Sequence, residues 1–434
     1  MAIKMLEVTL ESPVLKEILY RAKNEFSDTL SEVLPIIKNV KENKNSALKE
    51  YSRKFDGVEI ENFVYEVHKN PINLPYKIKN AFDTAKKNIE KFHKLQLPKN
   101  IEKKIHGNRL GIKYTPVDSV AVYAPGGKAF YPSSVLMGVL PAKLAGVNTI
   151  NLFTPPSKDG KISDVLLYVS QISGVQKIYT IGGAHAIAAA AYGTETIPSH
   201  DIIVGPGNKY VAASKSYLQS IGKIGMESIA GPSEVFIIAD ETANAEWVAC
   251  DMLSQAEHGE DSVAILATNS KDLAINVSRE IEKALISRKG RGEIKSKAIY
   301  NNSHILIFPD IDNCITFSNQ YAPEHLEIQT KKFDKDFKKI KHAGSVFLGM
   351  YSPVAMGDYI SGTNHILPTA GLSRIYSSLG VENFLKRVTY QEITKKSLIE
   401  LVPHVRIMSE IEGLEEEHGT SVILRTQDEN TEEN

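Results

Sequence analysis

The sequence predicts an α/β fold: two Rossmann-like parallel-sheet domains, a helical N-terminal segment and a small C-terminal tail domain. Three observations lead there. Short, uniformly apolar runs alternate with helical stretches; the runs fall into two successive series; and glycine-rich turns follow three of the first four runs. Apolar strands separated by helices indicate parallel sheets covered on both faces.

In the first series, 120–124 leads into Pro125, Gly126 and Gly127, and 149–153 leads into Thr154, Pro155 and Pro156. The run 177–181 leads into Gly182 and Gly183, then into an alanine-rich helix at 184–191. The run 201–204 leads into Gly205, Pro206, Gly207 and Asn208, then a helix at 210–218. The second series is 235–239, 263–267, 304–308 and 345–348, with helices at 243–258 and 271–285 between its members. The segment before 118 reads as mostly helical, with a charged connector around 86–104; 289–295 reads as an exposed loop. Beyond Leu372 the chain turns helical and polar, then closes with a short strand at 421–424 and a disordered acidic end at 428–434. The domains expected are 1–118, a helical segment with part of the first α/β domain, and 119–233, an α/β domain. Next come 234–375, a second α/β domain continuous in space with the N-terminal part, and the tail at 376–434.

Composition narrows the function. A chain of 434 residues forms two or more domains. It is 42% hydrophobic and 24% charged, which is ordinary for a globular protein. The net charge of −1 gives no reason to invoke nucleic acid or an anionic membrane. The two cysteines, Cys250 and Cys314, form no zinc-knuckle or redox motif and read as reduced thiols. No apolar run is long enough for a signal peptide or a membrane span, so the expected compartment is the cytoplasm.

Gln255 and His258 lie three apart at the end of a helical run, which puts an amide oxygen and an imidazole on one face. Glu324, His325, Asp358, His365, Glu412 and His418 are further candidate ligands or catalysts. Each has a plainer reading: a surface amide for Gln255, a helix-end ring for His258, a solvated acid and ring in a loop after Pro323 for Glu324 and His325, a cap for Asp358. Gln, His and Asp together suit zinc or another borderline divalent ion. Glycine turns at strand ends allow close approach of a phosphate, and a following helix offers free N–H groups. There Asn208 reads as a helix N-cap or a cofactor contact, and Tyr123 as a buried ring or a cofactor shelf.

The motifs Tyr123-Ala-Pro-Gly-Gly127, Tyr131-Pro-Ser-Ser-Val-Leu-Met137, Gly182-Gly-Ala-His-Ala-Ile187, Val204-Gly-Pro-Gly-Asn208 and Ala230-Gly-Pro-Ser-Glu234 come in that order. Ser254-Gln-Ala-Glu-His-Gly259, Ala322-Pro-Glu-His-Leu-Glu327 and Gly357-Asp-Tyr-Ile-Ser-Gly-Thr-Asn-His365 follow. Together they closely resemble histidinol dehydrogenases, from about Leu6 to Arg425. The resemblance implies a zinc-dependent homodimer that oxidises L-histidinol to L-histidine through L-histidinal with two NAD. It makes Gln255, His258, Asp358 and His418 the ligands of one Zn2+ per site, His418 coming from the partner subunit. Glu324 and His325 match the catalytic pair, with His325 as base and Glu324 activating water. Ser233, His365 and Glu412 match substrate contacts, alongside the zinc ligands and His325. Tyr123, His185 and Asn208 match cofactor contacts.

Two positions depart from the family pattern: His185 stands where glutamine is usual, and the tail has one extra residue between Leu414 and His418, so that Glu415 or Glu416 competes with Glu412. The rivals are a related zinc- and NAD-dependent dehydrogenase of another small polar alcohol, a zinc hydrolase, and a non-catalytic nucleotide-binding subunit.

Overall fold

A computed structural model describes residues 2–20, 26–59, 61–68, 70–126, 131–158, 161–228, 231–288 and 290–427. Gly127, Ala230, Lys289 and the acidic end, on which some sequence expectations fell, lie outside the described residues. The chain divides into two compact units. One is Met1–Leu97 with Val117–Phe384, the other Pro98–Pro116 with Leu385–Asn434. In chain order the strands are β1 (Lys4–Glu7), β2 (Val64–Glu66), β3 (Ile101–Ile105), β4 (Asn108–Pro116), β5 (Ser119–Tyr123), β6 (Thr149–Phe153) and β7 (Lys177–Tyr179). They continue as β8 (Ile202–Val204), β9 (Glu234–Ala239), β10 (Val263–Thr268), β11 (His304–Ile307), β12 (His325–Gln329), β13 (Ser345–Leu348) and β14 (Leu385–Glu392).

The first unit holds two sheets. One is entirely parallel, in the order β1-β11-β10-β9-β12-β13. The other runs β2-β7-β6-β5-β8, parallel apart from the antiparallel edge strand β2. The two apolar series therefore build the two sheets, and the N-terminal region supplies an edge strand to each. β9 is buried from Glu234 to Ala239. Each fully buried Val, Ile or Phe on such a strand contributes ~1.5–3 kcal/mol. Helix Ala245–Ala256 covers this sheet with Val248, Ala249, Met252 and Leu253. Asn244 caps it by accepting the N–H groups of Glu246 and Trp247, so the helix has a fixed start and its last turn a fixed place.

Five expectations are corrected. Glu324 and His325 do not lie in a surface loop: His325 opens β12, an interior strand between β9 and β13. Its polar members His325, Glu327 and Gln329 disguised it. Residues 421–424 belong to helix Thr420–Gln427, not a strand; the Arg425 guanidinium reaches back to the Ser421 carbonyl at 2.7 Å, an i to i−4 contact. A run of four apolar residues does not distinguish the two states. The connector at 86–104 is the end of helix Tyr76–His93 followed by β3. The supposed loop after Lys289 contains helix Gly292–Asn302. Beyond Leu372 the chain is not only helical, since β14 pairs antiparallel with β4.

The second unit is built on that pairing, a β14-β4-β3 antiparallel sheet. Helix Lys395–Ile411 follows, started by Thr394, whose hydroxyl accepts the Ser397 N–H.

One glycine in the first unit is dictated by a close approach. Gly205, just after β8, has φ +114°, and a Cβ there would fall 2.0 Å from the Tyr123 carbonyl oxygen. Gly222 has φ +68° but open space around it. Gly205→Ala should therefore lose about 3 kcal/mol or more, and Gly222→Ala only the ~1–2 kcal/mol of a left-handed residue. Urea unfolding of both variants measures the difference; equal losses would show that the contact with Tyr123 relaxes freely.

Candidate active site

The backbone of Glu234, the first residue of β9, holds an acid and an imidazole from the neighbouring strand. Its N–H donates to Glu324 Oε2 at 2.7 Å, and its carbonyl accepts from His325 Nδ1 at 3.0 Å. Because a carbonyl can only accept, the proton of the neutral ring is on Nδ1 and the lone pair on Nε2. Nε2 is buried without a hydrogen-bond partner and lies 3.7 Å from Asp358 Oδ1. Glu324 Oε2 is 3.5 Å from Nδ1. Burial alone would lower the His325 pKa, but Glu324 and Asp358 outweigh it and hold it well above the ordinary histidine value. Burial likewise pushes the Asp358 carboxyl up, while His325 first, then the charges of His365 and His258, bring it below the usual range.

Asp358 lies in the short helix Val354–Tyr359. His365 donates Nδ1–H to its carbonyl at 2.8 Å, and His365 Nε2 meets the Ser134 hydroxyl at 3.1 Å. Burial lowers the His365 pKa despite the Asp358 charge. Ser134 lies in the first turn of helix Pro132–Ala145, which follows β5. The carboxyl end of one sheet thus meets the amino end of the other. The position is unexpected for the second series, because in open parallel sheets ligands gather at strand carboxyl ends. Ser233 directly precedes β9 at that same amino end and is half-buried.

Helix Ala245–Ala256 ends before His258, so the two side chains do not share an unbroken helix. The spacing survives because His258 N–H closes a last turn on the Gln255 carbonyl at 3.2 Å. Gln255 Oε1 is buried and has no hydrogen-bond partner. His258 is exposed and donates Nδ1–H to the Ser254 carbonyl at 3.0 Å, leaving the Nε2 lone pair outward. An orphaned amide oxygen, an imidazole fixed by a backbone carbonyl and a carboxylate are what a divalent cation takes as ligands. They fit zinc as an incomplete set. Among the described residues, no three His, Cys, Asp or Glu side chains gather around one metal-sized point. Glu412 and His418 are exposed on the second unit, at the end of helix Lys395–Ile411 and in the turn Glu415–Gly419.

At the carboxyl ends of the five-stranded sheet is a cavity of about 900 Å³, lined by Tyr51, Phe55, Asp56, Tyr123, His185 and Asn208 among others. The buried Tyr123 hydroxyl accepts the Gly183 N–H at 3.0 Å, and burial raises its pKa to about 12. Asn208 Oδ1 caps helix Lys209–Ser220 by accepting from Tyr210 and Val211, each at 3.1 Å. His185 is buried with no hydrogen bond at either ring nitrogen, and its Nε2 lies 3.9 Å from Asp56 Oδ2. Burial brings the His185 pKa down to about 4 and the Asp56 pKa up to about 6. At neutral pH the ring is therefore neutral and the acid charged, so the contact is not an ion pair.

Sequence reasoning missed Ser134, although it lies inside a quoted motif, and missed the Glu234 backbone and Asp56. No spacing signals these, because their partners lie 90 or more residues away in the chain (231 for Ser134, 90 and 91 for Glu234, 129 for Asp56).

Two parallel sheets, an acid–imidazole pair at a strand start and a glycine-walled cavity define an α/β enzyme. The histidinol dehydrogenase profile matches residues 19–426. A histidinol dehydrogenase of Leptospira interrogans is 59% identical over 98% of this chain and 100% of its own length. One from Methanocaldococcus jannaschii is 47% identical over 95% of each. A crystal structure of histidinol dehydrogenase from Elizabethkingia anophelis superposes with a TM-score of 0.92 at 37% identity, covering 99% of both chains. The chain belongs to the histidinol dehydrogenase family.

The Asp56 carboxylate yields a pH prediction. Its folded pKa is raised, so folding is opposed above pH 6, where the group is charged in both states. The penalty fades as pH falls through about 6 and is gone below ~4, where both states are protonated. Asp56→Asn should melt at a higher temperature than the parent at pH 8, by a margin that narrows towards pH 5. Calorimetry at both pH values checks this; a constant margin would reject the burial penalty.

Proposed function

We propose that this protein oxidises L-histidinol to L-histidine through L-histidinal, the last steps of histidine biosynthesis, using two NAD and one Zn2+ per site. The observation that carries the reading is His325: Nδ1–H is locked to the Glu234 carbonyl, and Nε2 is left unpaired beside Asp358. Gln255, His258 and Asp358 would hold the zinc with His418 of the partner subunit. Tyr123, His185 and Asn208 would line the NAD site. When bound, zinc supplies a template for the substrate's imidazole and amine and a positive charge beside Asp358, and NAD supplies the hydride acceptor for both oxidations.

The chain's own groups then divide the proton work. His325 takes the alcohol's hydroxyl proton at Nε2, a role open to the neutral ring. The charge beside Asp358 offsets the carboxylate that otherwise favours imidazolium. Glu324 removes a proton from the water that adds to the aldehyde carbon, and the former carbonyl oxygen takes the proton that His325 gained, so that the hydrate needed for the second oxidation forms. The Glu234 N–H holds its Oε2, so that transfer falls to Oε1. Ser233, His365 and Glu412 would orient the substrate, and holding it at the right angle is worth up to ~7–11 kcal/mol of the barrier. No helix among the described residues is long and apolar enough to cross a membrane. Cys250 and Cys314 are free thiols, which suits a cytoplasmic setting.

With limiting L-histidinol and excess NAD, the protein should form two NADH per histidine. Glu324→Gln should stop near one, because only the second oxidation needs hydration. One NADH from the unaltered protein would reject the two-step reaction, and a related dehydrogenase of another alcohol would give none.

The shared site rests on the second unit. Its helix Lys395–Ile411 exposes Ile407, Met408 and Ile411 at 56%, 63% and 80%, an apolar face that suits docking on a second copy. Mixing inactive His418→Ala and His258→Ala chains should restore activity, since a heterodimer then has one intact site. Heterodimers verified by mass but inactive would reject sharing.

A further inference from the structure

We propose that Glu327, through Gln329 and Asp251 on one side and the backbone of Val354 on the other, is a positioning residue that sets the spacing of the metal ligands carried by two separate helices. Gln255 lies in the last turn of helix Ala245–Ala256 with His258 just beyond it, and Asp358 lies on the short helix Val354–Tyr359. Their mutual distances therefore depend on whatever ties those elements together. The proposal rests on reading Gln255, His258 and Asp358 as ligands.

Glu327 is wholly buried in the middle of β12, between two neighbouring strands. Its Oε1 accepts the N–H of Val354 at 3.1 Å. Val354 is the first residue of the short helix that carries Asp358 one turn later. Its Oε2 accepts from Gln329 Nε2 at 2.7 Å, and the same nitrogen donates to Asp251 Oδ2 at 3.1 Å. Gln329 Nε2 thus bridges the two buried carboxyls of Glu327 and Asp251. Asp251 is four residues before Gln255 on helix Ala245–Ala256, so the two point from the same face. Glu327 thus meets one ligand-bearing helix directly and the other through Gln329.

Two buried carboxyls this close do not both ionise. Burial, and then the Asp251 charge, raise Glu327 well above the usual range, and burial raises Asp251 as well. Glu327 is the more readily protonated of the two, and it accepts the Val354 N–H with Oε1 and the Gln329 N–H with Oε2. A glutamine keeps a carbonyl for the Val354 N–H, but its amide nitrogen cannot accept the Gln329 hydrogen. A leucine of similar bulk accepts neither, and it leaves the Val354 N–H buried without a partner. Nothing in the proton transfers proposed for His325 and Glu324 uses this pair.

The test is zinc affinity of the full chain, measured by competition with a chromophoric chelator, with near-ultraviolet circular dichroism to verify the fold. Asp358→Ala tests the ligand reading itself. If it binds zinc as the parent does, that reading fails and the proposal falls with it. If it loses affinity, Glu327 is tested separately. Glu327→Leu should weaken zinc binding about 10–100-fold, the loss typical when groups supporting metal ligands are removed. Glu327→Gln, which keeps the Val354 link, should lose clearly less than Glu327→Leu, a partial rescue that bulk or apolarity at this position would not produce. A folded Glu327→Leu protein with parental affinity overturns the proposal, as does a Glu327→Gln protein as weak as Glu327→Leu. Should Glu327→Leu fail to fold, Val354→Pro decides. Proline suits the first helical position and lacks only the N–H that Glu327 accepts. A loss of about tenfold or more supports the link, and parental affinity rejects it.

Discussion

The main chain of Glu234 is the constraint on which the site depends. A strand's N–H and C=O directions are fixed by its pairing, and β9 is paired on both sides. Glu324 and His325 take their orientation from those two groups, so neither side chain has to be held by another flexible one. The imidazole's tautomer follows from the same carbonyl. An acid–imidazole pair built this way keeps its geometry without further ordering cost, since folding the sheet has already fixed the donor and the acceptor.

Around that pair, acidic groups outnumber their cationic partners. Glu324, Asp358, Glu327 and Asp251 surround one imidazole and one orphaned amide oxygen. Burial would be costly for four charges, and the structure handles them in different ways. Burial and the Asp251 charge raise the pKa of Glu327, Glu324 takes a backbone N–H, and Asp358 leans on histidines. A divalent cation suits what remains. The other sheet works by different chemistry: its turns are glycine-rich, its cavity holds aromatic rings and a buried neutral imidazole, and the Asp56 carboxyl in that cavity is penalised for being out of water.

Much of this was legible in the residues. The apolar runs of both sheets, such as 235–239 and 149–153, declare themselves because buried parallel strands need apolar residues on both faces. β12 did not, because its inward positions carry His325, Glu327 and Gln329, whose burial makes sense only with long-range partners. β3, exposed along its whole length with the sequence Ile-Glu-Lys-Lys-Ile, looked like a charged connector. The closing helix was hidden by β-branched residues. In the site, Gln255, His258, Glu324, His325 and Asp358 could be singled out by type and motif. Ser134 against His365, Asp56 beside His185 and the Glu234 grip could not, because each is a meeting of distant segments.

The edge strand β1 has a consequence for how the chain is made. Lys4 pairs with His304, three hundred residues later, and β1 has no other neighbour in its sheet. β1 therefore cannot pair until β11 has been made. At translation rates of about 5–20 residues per second it waits roughly 15–60 s, with Met5 and Leu6 unpacked and its pairing edge open. Over that interval the nascent segment is a client for chaperones, and crowding or slowed synthesis lengthens its exposure to other unpaired strands.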